Sequence, residues 1–122
     1  MTTEIILLGH GSRRKEANDS LIEVAKKVED ILGHEVTPAF MGNWEPRLPE
    51  AVKAKVEAGA QKIIIMPLFL FRGMHVTVDI RNEVQEIQET HPEVEIVFTP
   101  ELGADDSIAI LASSRIKEAL RV

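Results

Sequence analysis

The sequence predicts a single α/β domain over residues 1–122: one three-layer α/β/α unit around a four-stranded parallel sheet, flavodoxin-like in character. Two observations point there. Short apolar runs rich in leucine and β-branched residues alternate with longer amphipathic stretches, in the order strand, helix, repeated four times. Repeated βα units of this kind imply parallel strands, right-handed crossovers and helices on both faces. The length also fits one domain, and no linker, internal repeat or low-complexity tract divides it.

The first strand is Ile5 to Leu8, apolar enough to be buried on both faces, and it ends at Gly9-His10-Gly11-Ser12. A helix follows, with apolar residues at Ala17, Leu21, Val24, Val28 and Ile31 and Gly33 placed to cap its end. Val36 to Met41 reads as a second strand. Because Pro38 cannot donate to a ladder, this strand belongs at a sheet edge or starts after the proline. Pro46 and Pro49 open the second helix, whose stripe is Leu48, Ala51, Val52 and Val56, with Gly59 closing it. Ile63 to Leu70 is the most hydrophobic run and reads as a central strand, with Pro67 marking where it frays. The third helix carries Val76, Ile80, Val84 and Ile87 on one face and stops before Pro92. Val94 to Phe98 is the fourth strand. Asp105 is placed to cap a last helix bearing Ile108, Leu111, Ala112, Ile116, Ala119 and Leu120.

Composition excludes several functions. The formal net charge of −6 disfavours nucleic acid and anionic membranes as partners, and aromatic residues at 4%, with no tyrosine, leave little for base stacking. The absence of cysteine removes disulfides, thiolate metal sites and cysteine nucleophiles, and it is compatible with a reducing compartment. The opening MTTEIILLGHGS has no basic n-region and too short an apolar run for a signal peptide or membrane span, so the expected location is the cytoplasm.

In open α/β sheets ligands bind beyond the carboxyl ends of the strands. The loops there are 9–14, 42–47, 71–75 and 99–103. Two of the four histidines fall on them, His10 between glycines and His75 two residues after Gly73. His34 and His91 fall at the opposite edge, as solvated turn residues. A loop histidine can be a plain surface or capping group. A pair beside glycines at the functional edge also suits chemistry that needs both a divalent metal ligand and a proton acceptor. Arg13, Arg14, Lys15, Arg47 and Arg72 lie on the same loops, either as a positive mouth for an anionic, carboxylate-rich ligand or as a solvated charged face. No G-x-S-x-G elbow, dinucleotide fingerprint or Walker loop is present.

The residues resemble the class II chelatases that act on sirohydrochlorin. The matching segments are Gly9-His10-Gly11-Ser12-Arg13, Phe40-Met41 with Glu45-Pro46 and Leu48 to Val52, Met66 to Leu70, Gly73-Met74-His75 through Ile80, and Leu102 to Asp105 with Arg115 and Glu118 to Leu120. The resemblance implies a chelatase-like unit of the short form, a homodimer, with Co2+ inserted into the tetrapyrrole and Ni2+ or Fe2+ as alternatives. No cofactor would be permanently bound, the metal being a substrate. It further implies that His10 and His75 hold the metal and, with Glu45, take part in removing the pyrrole protons. Ser12, Arg13, Arg14, Arg47, Phe71, Arg72, Gly73 and Met74 would face the substrate. Three departures stand out: Gly42 where many relatives carry glutamate, Arg81 where Asp-Ile-Pro is common, and no histidine-rich insertion between Glu83 and Val94. Two rivals remain, a metal or tetrapyrrole carrier without turnover and a phosphate-transfer enzyme using His10.

Overall fold

The structure, a computed structural model, describes residues 2–71 and 73–121, with the side chains of residues 74–77 outside the described set. Eight elements alternate as expected: β1 (Thr3–Gly9), α1 (Lys15–Leu32), β2 (Val36–Phe40), α2 (Leu48–Glu57), β3 (Lys62–Pro67), α3 (Met74–Thr90), β4 (Glu95–Phe98) and α4 (Asp106–Leu120). All strand pairs are parallel and the order is β2-β1-β3-β4. Thus β1 and β3 are interior neighbours and the loops after them lie side by side. No helix among the described residues is long and apolar enough to cross a membrane.

Pro38 sits within β2, opposite Leu7, and the missing donor is tolerated because β2 is an edge strand. The strand runs through the proline and ends at Phe40, which leaves Met41 in the loop. β3 stops at Pro67, so Leu68 to Leu70, read from sequence as strand, belong to the third loop. Pro46 does not open α2 as expected: it precedes the helix, and its carbonyl accepts the Phe40 N–H at 2.9 Å, while Pro49 lies in the first turn.

Side chains split between the two faces of the sheet by strand alternation. One face joins Ile6, Leu8, Ile63 and Ile65 to Leu48, Ala51 and Val52 of α2 and to Ile80 and Ile87 of α3. The Val76 side chain of the expected α3 stripe lies outside the described residues. The other face joins Leu7, Val36 and Phe40 to Leu21 and Ala25 of α1. The α1 stripe differs from expectation. Asn18, Leu21 and Ala25 are buried, Ala17 is exposed, and Ile31 is 83% exposed. The inward row is therefore turned toward Asn18, whose amide binds the neighbouring loop. Gly33 caps the helix as expected, with φ +68° and its N–H donating to the Glu29 carbonyl at 2.8 Å.

His34 is not the solvated turn residue expected. It is half-buried, and its ring nitrogens lie 2.9 Å from the Glu35 carbonyl oxygen and 3.0 Å from that of Thr3, tying the start of β1 to the turn before β2. His91 is half-buried as well, capping α3 with its N–H on the Ile87 carbonyl.

α4 is capped by Asp105, which accepts the Ser107 N–H at 2.8 Å, but it buries none of its apolar residues. Ile110, Leu111, Ile116 and Leu120 are all more than half exposed. Ile64, Met66 and Val97, on the α1-side face of β3 and β4, are only partly buried. Among the described residues an exposed apolar helix and an incompletely covered apolar sheet face therefore occur in the same chain.

Candidate active site

The carboxyl edge of the sheet is a set of loops stapled by backbone hydrogen bonds. The N–H groups of Met41 and Gly42 donate to the carbonyls of Gly9 and His10 at 2.9 and 3.1 Å, joining the first and second loops. Leu68 donates to Leu8 at 2.8 Å, joining the third loop to β1, while Leu102 and Gly103 donate to Phe69 and Leu70, joining it to the fourth. All four loops thereby form one surface.

The loop after β1 is shaped by two residue choices. Gly11 has φ +85°, and a Cβ there would stand 1.7 Å from the Gly42 carbonyl oxygen, so backbone approaches backbone through the space a side chain would fill. Asn18, 2% exposed, closes the other side: its Oδ1 accepts the Ser12 N–H at 2.9 Å and its Nδ2 donates to the Ser12 carbonyl at 2.8 Å. A buried amide with both functions paired in this way is a rigid brace. The Ser12 hydroxyl oxygen accepts the Arg14 N–H at 3.0 Å, shaping the turn into α1.

His10, thus held, projects at the surface with its ring stacked on Phe69, centroids 3.8 Å apart and planes 23° from parallel. Burial holds its imidazole below the ordinary histidine value of 6.5. The ring therefore stays neutral, the form that ligates metals, into mildly acid conditions. Beside it a cleft of about 270 Å³ is lined by Ser12, Asn18, Leu21, Phe40 and Leu68. A second, of about 370 Å³, lies between α3 and β4 and has Phe69, the residue stacked on His10, as one of its walls.

The remaining candidates are distributed unevenly. Arg13 and Arg14 are exposed at the start of α1, whereas Lys15 is paired with Asp19 at 2.7 Å and adds little to a positive mouth. Glu45 is exposed on the second loop. Arg47 donates from Nη2 to the Met41 carbonyl at 3.3 Å and so braces its own loop. It also faces Glu83 of α3, whose carboxyl is raised above the ordinary range by burial, with the Arg47 charge opposing that rise. One Glu83 carboxyl oxygen is buried without a hydrogen-bond partner among the described residues. Phe71 is 66% exposed and lines the larger cleft, and Gly73 is the N-cap of α3. Arg72 lies outside the described residues. Met74 and His75 fall in the first turn of α3 by their backbone, their side chains being outside the described set. Among the described residues no group of three or more His, Asp or Glu converges, so the expected metal pair rests on His10 with His75.

Gly42 has no atom within 4 Å of the position a Cβ would take. The missing glutamate is therefore not forced by packing. Three contributors escaped the sequence reading. Asn18 is a polar residue in register with Leu21, Ala25 and Val28, a spacing that places it on the buried face. Phe69 reads from sequence as part of a strand, and Arg81, on the rim of the larger cleft, stands out in sequence only as a departure from related chains.

A profile of the CbiX family matches residues 4–119. The chain belongs to the CbiX family. The sirohydrochlorin cobaltochelatase of Methanocaldococcus jannaschii is 33% identical over 136 aligned positions, covering 91% of this chain and 95% of that protein. The sirohydrochlorin ferrochelatase of Priestia megaterium is 34% identical, covering 93% of this chain and 43% of that protein. SirB from Bacillus subtilis with Fe3+ superposes with a TM-score of 0.89 at 26% identity, over 98% of this chain and 48% of that one. This CbiX chain therefore carries the chelatase fold once, over about half the length of the last two.

Proposed function

We propose that the chain is a sirohydrochlorin cobaltochelatase, inserting Co2+ into the macrocycle with release of two protons. The observation that carries this reading is His10, a neutral imidazole at the carboxyl edge of the sheet, held by paired glycines and the Asn18 brace. The name of the similar Methanocaldococcus jannaschii protein supports the substrate and metal. In this reading His10 and His75 take a divalent cation from water, and the pyrrole N–H protons pass to imidazole, Glu45 or solvent as the metal–nitrogen bonds form. Arg13, Arg14 and Arg72 face substrate carboxylates, with Ser12, Arg47, Phe71, Gly73 and Met74 around the ring. The metal is a substrate and no cofactor is resident. The ferrochelatase among the relatives makes Fe2+ the first alternative metal, followed by Ni2+.

The test is the absorbance change of sirohydrochlorin with Co2+, with and without the protein, between pH 8 and 5. We expect catalysed insertion with a plateau extending below pH 6.5, followed by a fall as His10 takes up a proton. The sign follows from the neutral form being the ligand: a lowered pKa moves the fall to the acid side. No acceleration with Co2+, Fe2+ or Ni2+ would sink the enzyme reading and favour the carrier. A fall centred above 6.5 would place another group in control.

A homodimer is part of the proposal. It is supported by the exposed apolar stripe of α4, the partly buried face of β3 and β4, and the half-length match to the longer relatives. In the dimer α4 of one copy covers that face of the other. Light scattering should give twice the 13.6 kDa chain mass, and Leu111→Glu with Ile116→Glu should return a monomer. A wild-type monomer at micromolar concentration would refute the dimer. A cytoplasmic location completes the reading and suits a cysteine-free chain.

A further inference from the structure

The cleft between α3 and β4 combines two features that point to one kind of ligand. Its walls are apolar and largely aromatic: Phe69, Phe71, Ile80, Val84 and Phe98. On its rim stands Arg81, exposed, with no ion pair or side-chain hydrogen bond to any described residue, Glu101 on the same rim included. Arg13 and Arg14 are exposed too, but they stand at the start of α1 and do not line this cleft. Lys15 is paired with Asp19 and Arg47 is turned to the Met41 carbonyl. A guanidinium lining an aromatic-walled cleft, without a partner among the described residues, suits a flat apolar ring that carries a carboxylate on a short arm, because the fork of N–H donors matches a carboxylate in bidentate fashion. At about 370 Å³ the cleft has the size of a small-ligand site and holds one such ring rather than a whole macrocycle. Phe69 links this cleft to the first loop. One face of its ring carries His10 at 3.8 Å, and the same residue walls the cleft. The cleft and the His10 imidazole are thus separated by a single aromatic side chain.

We propose that the α3–β4 cleft is a subsite for one carboxylate-bearing ring of the tetrapyrrole, with Arg81 as its carboxylate anchor. The inference rests on the tetrapyrrole reading above and adds to it a residue that determines substrate affinity. Arg81 acts on binding and registration of the ring, at a distance from the metal-bearing imidazole, so its removal acts on KM and leaves kcat nearly unchanged.

The test is a titration of metal-free sirohydrochlorin into the full chain, followed by its absorbance and fluorescence, for wild type, Arg81→Ala, Arg81→Lys and Lys53→Ala. Lys53 lies exposed on α2 and controls for loss of one positive charge. We expect Kd to rise about tenfold in Arg81→Ala, as for loss of one charge-assisted hydrogen bond, with Arg81→Lys between the two and Lys53→Ala unchanged. The difference should shrink at high salt. Equal affinities for wild type and Arg81→Ala, an equal loss in Lys53→Ala, or no measurable binding to wild type would each overturn the subsite. Cobalt insertion by wild type, measured in parallel, separates the two claims. Insertion with no effect of Arg81→Ala sinks the subsite alone, and binding that depends on Arg81 without insertion sinks the chelatase reading alone.

Discussion

Gly11→Ala is expected to lower the melting temperature by about 10 °C and to remove insertion activity. Two costs combine. At φ +85° an alanine adopts a backbone conformation unfavourable by about 1–2 kcal/mol. Its Cβ would also stand 1.7 Å from the Gly42 carbonyl oxygen, which is backbone and cannot swing aside like a side chain. Relief requires the second loop to move away, and that breaks the bond from the Gly42 N–H to the His10 carbonyl, adding about 1 kcal/mol or more. Gly33→Ala is the informative comparison. Gly33 also has positive φ, +68°, but no atom lies within 4 Å of its added Cβ, so only the conformational cost applies. Thermal melts of both variants should show the larger loss for Gly11, with activity lost there alone. Equal losses with activity intact in both would remove the close approach as an explanation of this loop.

The second large effect is on chemistry. His10→Ala should slow cobalt insertion about 100-fold or more, the scale of a lost proton-transfer group or ligand. Stability should change little, because the imidazole is exposed on one side and loses only its contact with Phe69. The kinetic split distinguishes its roles. A rise in the KM for Co2+ at nearly constant kcat marks a ligand, and a fall in kcat whose acid limb also disappears marks a base. Retention of wild-type rates would move the metal site away from the first loop altogether.

Much of this fold was legible before any coordinates. The alternation of apolar runs and amphipathic stretches places every element, because strand and helix periods leave different marks. The edge position of β2 follows from the missing N–H of Pro38. The same alternation could not reveal the end of β3, because Leu68, Phe69 and Leu70 remain apolar after the ladder stops, and apolarity alone does not separate a strand from a buried loop. α4 carries a clear apolar stripe, and a stripe records that a partner surface is wanted without saying that the partner belongs to the same chain. At the site, His10 and Ser12 could be read from their glycine neighbours and their position after a strand. Asn18 could not be read by hydrophobicity, since its burial depends on two hydrogen bonds that exist only once the loop is folded. Arg81 stands out in one dimension only as a departure from related sequences: the role proposed for it comes from the apolar walls that α3, the loop after β3 and β4 bring to it.

The brace from Asn18 to Ser12 changes when the disorder of the first loop is surrendered. A stretch reading Gly9-His10-Gly11-Ser12 is among the most freely rotating a chain can contain, and freezing it carries a large entropy loss. Here that loss falls in the folding step, because a helix side chain grips both polar groups of the Ser12 backbone before any ligand arrives. In the proposed function an incoming metal or macrocycle then meets a loop that is already still, and its affinity is not diminished by the work of ordering it.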